Sequence, residues 1–396
     1  MNIIRLADSF QGPPRMGEGL APTIYYLSES QASQGLKVYV ICRRRHGEER
    51  LEKMGNIEVR RVEPPFSVNM LHTLFTLTSR IKTDIIHAHA TASFSYAISR
   101  KLWNFLSNKF ISHVHGTTKG ILFSWKQLKG HSSNFSTNLN REVSVLRENL
   151  IWRNSDGLLT TSNFLKEELV ELYGVEERRI HVIHNGADLR VFQPSELARG
   201  QIIEKHGLRT ESKLVLYLGG ARLVKGPLIL LEAFKAVHKE MDEVTLLFVG
   251  KALKNQISGS LKKSVVELEE KKAILFLDRI PYLGLPRYYS AVDMVVVPSV
   301  YDTFPKVILE ALACQTPVVA SNTGGISEII TNKETGLLFE PGNLFELKQA
   351  MASILTDSNL REKLRIRGRK LVKERFTWEK VAERCLKAYK EILTQN

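Results

Sequence analysis

The feature that most constrains this 396-residue chain is an alternation of short apolar, β-branched runs with segments of helix length. In the first half the runs are 2–6, 37–41, 57–62, 84–87, 110–114, 157–160 and 180–183; in the second they are 213–218, 244–249, 274–277, 294–297, 317–320 and 336–339. Helix-length stretches such as 21–34, 93–106 and 163–173 lie between them. Apolar runs of this length without polar alternation read as strands buried on both faces, and intervening helices make the sheets parallel. The series breaks near 188–204, where Pro194 and mixed polar residues have the character of a linker. The expectation is an α/β chain of two doubly wound, Rossmann-like domains facing one another, 1–193 and 194–376. A terminal amphipathic helix, 377–396, carries Val381, Cys385, Ala388 and Ile392 on one face.

Composition narrows the class. Hydrophobic residues at 43% and charged residues at 25% are figures of a folded chain. No apolar run approaches the roughly 18 residues of a membrane span, and the N-terminus turns polar too early for a secretory signal. Cys42, Cys314 and Cys385 are too far apart for a CxxC metal site or a disulfide framework and fit a reducing cytoplasm, so a cytoplasmic location is expected. The formal charge is +14, and residues 1–155 hold 21 basic against 11 acidic residues. Between Arg100 and Arg153, cations are interleaved with Trp103, Phe105, Phe110, Phe123, Trp125 and Phe135. That mixture suits a nucleic-acid surface, a membrane-facing patch, or a solvated face over core aromatics.

Ligands of doubly wound sheets bind beyond the carboxyl ends of the strands, so the loops there hold the candidates. Gly12 to Gly19, between the first strand and a helix, is either a turn or a place where backbone N–H groups approach an anion. Arg222 and Lys225, framed by Gly219, Gly220 and Gly226, either converge on a diphosphate or belong to a solvated loop. Asp302 lies in the loop after a strand, and Glu310 lies eight residues on, inside an apolar helix. A carboxylate buried there needs a hydrogen-bonding partner, such as a vicinal diol or a structural salt bridge. His87 and His89 alternate at a strand end but lack a third metal ligand and read as core or cleft residues. His113 is expected to point away from His115, and Cys314 to fill a core position.

The segment from Asp302 to Glu310, with Thr316 to Ala320, Gly324 to Ile329, His115-Gly116, Ile183 to Asp188, Arg222 to Gly226 and Phe376-Thr377-Trp378, resembles retaining glycosyltransferases of the GT-B fold, family 4, the group that includes RfaG/WaaG. The resemblance runs along essentially the whole chain and implies that the terminal helix returns to the first domain. It also implies roles. Glu310 would hold the ribose hydroxyls of a nucleotide, Arg222 and Lys225 would neutralise its diphosphate, and Gly17 would reach that diphosphate through its backbone. Asp302 would contact donor-sugar hydroxyls, the backbone of Phe304, Pro305, Lys306 and Val307 would contact sugar and phosphate, and His115 would stand near the reacting sugar. Arg279 and Ile280 would hold the base.

The implied reaction is metal-independent transfer, with retention, from a nucleotide-diphosphate sugar (UDP- or GDP-linked) to a glycan or lipid-linked acceptor, needing no cofactor. Preorganised cations and helix N-termini can stabilise the leaving diphosphate. Asp302 stands where the family usually has Glu, Pro305 and Gln315 where it usually has Gly, and Arg222 and Lys225 are about two residues closer than is typical. The basic first domain is expected to dock on an anionic cytoplasmic leaflet, with nucleic acid a minor possibility. Competing readings are a nucleotide-sugar 2-epimerase of the same fold and a non-catalytic basic binding protein with a decayed donor site.

Overall fold

The computed structural model describes residues 1–13, 16, 19–89, 94–102, 108–127 and 135–394. The chain forms two compact units, Met1–Asn185 with Trp378–Asn396, and Gly186–Thr377.

The first unit runs β1 (Asn2–Ala7), α1 (Ala21–Ser33), β2 (Lys37–Arg43), β3 (Leu51–Met54), β4 (Ile57–Val62), α2 (Phe66–Thr78), β5 (Ile85–His89), α3 (Phe94–Leu102), β6 (Lys109–Val114), α4 (Thr118–Gln127), α5 (Phe135–Arg153), β7 (Gly157–Thr160), α6 (Asn163–Tyr173) and β8 (Ile180–Val182). Its sheet has the order β3-β4-β2-β1-β5-β6-β7-β8. Pairing is parallel except at the edge, where β3 turns back on β4 through Gly55 at a φ of 58°. That hairpin escaped sequence reading because Leu51, Glu52, Lys53 and Met54 include no buried residue, so no apolar run marks it. The expected strands at 2–6, 57–62, 110–114 and 157–160 are present.

The two faces of this sheet differ chemically. One is an apolar core of Ile4, Leu6, Ile86, Ala88, Phe110 and Val114 against α2, α3 and α6 residues such as Met70, Leu74, Ala97 and Leu165. The other carries buried Arg5, His87, His89 and His113. It is covered by α1, whose Gln31 accepts a hydrogen bond from Arg5, and by the terminal helix α14 (Trp378–Thr394), whose Tyr389 hydroxyl bonds His87. The expected apolar face of α14 is buried, with Trp378 stacking on Tyr26 of α1 at 6.2 Å.

The second unit runs α7 (Ala198–His206), β9 (Lys213–Tyr217), α8 (Pro227–Glu240), β10 (Val244–Val249), α9 (Gly259–Glu270), β11 (Ile274–Leu277), α10 (Leu285–Ala291), β12 (Met294–Val297), α11 (Lys306–Ala313), β13 (Val318–Ser321), β14 (Leu337–Phe339), α12 (Leu344–Thr356) and α13 (Ser358–Arg375). Its sheet is parallel throughout in the order β11-β10-β9-β12-β13-β14, so the order reverses between β9 and β12. The 188–204 segment is not a linker. Residues from Gly186 onward belong to this unit: Ala187 N–H donates to the Phe376 carbonyl at 2.8 Å, and the Phe192 ring is fully buried 5.4 Å from Tyr282. Residues 198–206 are helical, with Arg199 bonded to the Ala291 and Ser212 carbonyls. A single buried Phe among polar residues leaves no periodic signal, which is why composition suggested a break there.

Candidate active site

The reversal of strand order between β9 and β12 opens the place where a doubly wound sheet receives its ligand. The loops after β9, β12 and β13 interlock there. Val300 N–H donates to the Val224 carbonyl at 2.9 Å, and Gly325 N–H donates to the Asp302 carbonyl at 3.0 Å. Two glycines permit this contact. A Cβ on Gly226 (φ 68°) would lie 1.8 Å from the Pro298 carbonyl oxygen, and one on Gly324 (φ 56°) 2.0 Å from that of Asp302. Within this frame Lys225 Nζ donates to Asp302 Oδ2 at 2.6 Å, an ion pair whose side chains are 18% and 12% exposed. Two positions singled out separately in the sequence are therefore in direct contact. Arg222, the second cation, is exposed at the start of the same loop.

Glu310 is buried in α11 and accepts a hydrogen bond from the Tyr289 hydroxyl of α10 at 2.8 Å. Burial raises its pKa, against the opposing pull of the Lys306 ammonium one turn earlier and of the Tyr289 hydroxyl. Lys306 shows the mirror effect: burial of its ammonium end lowers its pKa to about 8, with Glu310 pulling it back up. Tyr289 is the site residue that sequence reading missed. It lies 21 positions from Glu310 in an ordinary helix, where one Tyr beside another carries no functional signal.

Two of the four departures from the pattern, Pro305 and Gln315, have local explanations. Pro305 is the N-cap of α11, with extended φ and ψ of −73° and 114°, and its carbonyl accepts the Ile308 N–H at 3.1 Å. Proline fits there because an N-cap residue's own N–H has no part in the helix ladder, so its absence costs no helical hydrogen bond. Phe304 is buried against Phe376 at 5.8 Å, and Val307 is partly exposed in the first turn. Gln315 adopts φ 58°, so the backbone keeps the left-handed conformation that glycine adopts without strain. Arg279 and Ile280 line a cavity of about 720 Å³ with Glu204, His206 and Tyr288. Lys225, Asp302 and Glu310 are not among its lining residues, so it is distinct from the ion-pair cluster.

In the first unit, His115 follows β6. The expectation that His113 points away from it is overturned: the two rings stack at 4.3 Å, because residues two apart on a strand share a face. The reading of His87 and His89 as a pair without a third neighbour also changes. Parallel register sets His89 opposite His113, and Nδ1 of His89 lies 3.0 Å from Nε2 of His115. Ring nitrogens of His87, His89 and His113 lie within 4.8 Å of one another. Cys314 is a buried core thiol, as expected.

Gly17, Trp103 and Phe105 lie outside the described residues, and the side chains of Phe123, Trp125 and Phe135 are likewise outside the description. Phe110 is fully buried in the core, which for this residue agrees with the reading of core aromatics beneath a solvated face. The described part of α5 does expose Val143 and Leu146 beside Arg147. No helix among the described residues is long and apolar enough to cross a membrane.

Comparison with known proteins gives two family matches, Glycosyltransferase Family 4 over residues 17–191 and Glycosyl transferases group 1 over residues 198–371. The chain is 26% identical over 394 residues to an uncharacterized glycosyltransferase of Methanocaldococcus jannaschii, covering 96% of each. It is 32% identical over 256 residues to the D-inositol 3-phosphate glycosyltransferase of Xylanimonas cellulosilytica, a match covering 62% of this chain and 59% of that protein. Among solved structures, Anabaena HepE in complex with UDP-glucose superposes with a TM-score of 0.74 at 19% identity, covering 99% of this chain and 100% of the other. With one family match on each unit and two parallel-sheet α/β domains of the GT-B type, the chain belongs to the glycosyltransferases, family 4 and group 1.

Proposed function

We propose that the chain is a retaining, metal-independent glycosyltransferase that moves a sugar from a nucleotide diphosphate to a glycan or lipid-linked acceptor. The observation that carries this reading is the Lys225–Asp302 ion pair at the strand-order reversal of the second sheet, with the Tyr289-bonded Glu310 in the helix that follows the Asp302 loop. In it, Glu310 binds the ribose hydroxyls, Lys225 and Arg222 neutralise the diphosphate, and Asp302 contacts sugar hydroxyls. Backbone from Phe304 to Val307 contacts sugar and phosphate, the Arg279-Ile280 segment holds the base, and His115 and Gly17 contribute from the first unit. Departure of the nucleoside diphosphate leaves an oxocarbenium-like sugar. Lysine, arginine and the positive ends of α8 and α11 offset the charge developing on the leaving group. The leaving phosphate takes the acceptor proton as the acceptor attacks the same face, which preserves the anomeric configuration.

A thermal-shift panel of UDP- and GDP-linked sugars tests the donor class, since a ligand that binds only the folded chain raises its melting temperature. Transfer by Glu310→Ala and Lys225→Ala at the wild-type rate would sink the residue assignments. Inversion of the anomeric centre, read by NMR of the product, would sink the retaining mechanism.

The acceptor side of the proposal is docking of the first unit, from the cytoplasm, on an anionic leaflet. The chemistry of α5, with Val143 and Leu146 exposed next to Arg147, supports it. Flotation with phosphatidylserine vesicles at low salt is the test, and absence of co-migration would remove this part of the reading.

A further inference from the structure

The buried face of the first sheet holds four histidines whose arrangement neither the family nor the proposed chemistry assigns. His87 and His89 come from β5, His113 from β6, and His115 directly follows it. Their rings stack at 4.3–5.4 Å and lie 15–32° from parallel. Burial lowers the pKa of His87, His89 and His113 well below the ordinary value, with further depression from Arg5 or neighbouring imidazoles, so each carries one proton. The proton's position follows from the hydrogen bonds. His89 has Nδ1 at 3.0 Å from Nε2 of His115, while its Nε2 is buried and finds no partner among the described residues. A buried N–H without an acceptor is rarer and more costly than an unmatched lone pair. The proton of His89 therefore sits on Nδ1.

We infer that His89 is a positioning residue: its Nδ1–H donates to Nε2 of His115 and holds His115 as the tautomer protonated at Nδ1. In that tautomer the Nδ1–H of His115 is a hydrogen-bond donor of the kind a sugar hydroxyl oxygen accepts, and its ring is clamped by the stack. A three-histidine metal centre suits this geometry less well. Lone pairs lie in the ring planes, and rings only 20–32° from parallel with centroids 4.5–5.4 Å apart aim them side by side rather than at one ion. The buried Arg5 guanidinium beside the stack also disfavours a second cation.

The effect on rate rests on the assignment of His115 to the reacting sugar; the tautomer does not. NMR of the full chain with ¹⁵N-histidine, alone and in His89→Ala, His89→Asn and His115→Ala, reads the tautomer. Hydrolysis of UDP-glucose, or of the nucleotide sugar the thermal-shift panel selects, reads the rate. Wild type is expected to show His115 protonated at Nδ1, and His89→Ala to show it protonated at Nε2. In His89→Ala, kcat should fall on the order of 10–100-fold, as for outer partners of other functional histidines, with KM within about twofold. Asn, whose amide N–H can stand where Nδ1 stood, should restore both readouts. An Nε2-protonated His115 in wild type, or a tautomer that His89→Ala leaves unmoved, overturns the inference; the first holds even if the variant fails to fold. Stoichiometric uptake of added Zn²⁺ that perturbs His87, His89 and His113 together overturns it in favour of a ligand set. Wild-type rates in both His115→Ala and His89→Ala, with the tautomer moved, would instead remove His115 from the reaction.

Discussion

Glu310 shows how a single side chain can be legible in kind and not in partnership. Its place in the apolar run Val307 to Leu312 required a hydrogen bond, and the structure supplies one from Tyr289. Tyr289→Phe would leave a buried carboxylate short of a partner and is expected to cost about 1–3 kcal/mol, read by urea unfolding. Glu310→Gln, which keeps the shape and removes the charge, should be tolerated better in stability while still weakening donor binding. Lys306 has a distinct pH signature. Its native pKa of about 8 lies below the roughly 10.4 of an unfolded lysine. Between those values the unfolded chain holds more protons, so this residue makes stability rise with pH across that window. Burial pushes the thiols of Cys42, Cys314 and Cys385 up, which lowers stability with pH in both proteins, so the Lys306 contribution is read as a difference: from pH 7.5 to 9.5 wild type should lose less stability than Lys306→Met. UDP affinity should fall over the same window as the positive charge disappears.

At the scale of elements, the loops around α11 are set by backbone conformation more than by side chains. Gln315 closes α11 in the left-handed region, with Thr316 N–H returning to the Ala311 carbonyl at 2.9 Å and its own N–H to Leu312 at 3.0 Å. A non-glycine residue there is strained by about 1–2 kcal/mol, partly offset by glycine's greater freedom in the unfolded chain. Gln315→Gly is therefore expected to stabilise the chain by about 1 kcal/mol, visible as a higher urea midpoint. Gly324→Ala has the opposite prospect. Its Cβ would meet the Asp302 carbonyl at 2.0 Å, so the loop must move and the Lys225–Asp302 pair with it. A loss of UDP binding larger than the loss of stability is the expected result, by calorimetry and thermal melts. The motif Gly324-Gly325 could be read from the sequence; that its purpose is a carbonyl of the Asp302 loop could not.

For the whole molecule, the decisive element is α14. It follows the second unit in sequence but belongs with the first, burying Trp378, Val381, Ala382, Cys385, Ala388, Tyr389 and Ile392. Trp378→Ala should destabilise by about 3–5 kcal/mol, and in calorimetry the loss should fall on the transition of the first unit. An equal shift in both transitions, or in that of the second alone, would contradict the assignment of this helix. The surplus positive charge is also divided at this scale: Lys225 is paired with Asp302, Lys306 lies within electrostatic reach of Glu310, Arg5 belongs to the buried face under α1 and α14, and the exposed remainder includes Arg147 on α5.

The sequence by itself determined the class of fold, the parallel character of the sheets, the amphipathic face of α14 and the identity of Asp302, Glu310 and Lys225 as chemically demanding positions. Those properties are local: apolar runs, helix periodicity and a charged residue in an apolar helix are all read within one element. Tertiary structure alone decided which polar groups meet. Lys225 finds Asp302 across 77 residues, and His87 finds Tyr389 across 302. It also decided that His113 stacks with His115, and that 186–193 belongs to the second unit. The physical reason is that a buried polar side chain is satisfied by whatever strand order and register bring beside it, and neither is written in the spacing of residues along one element.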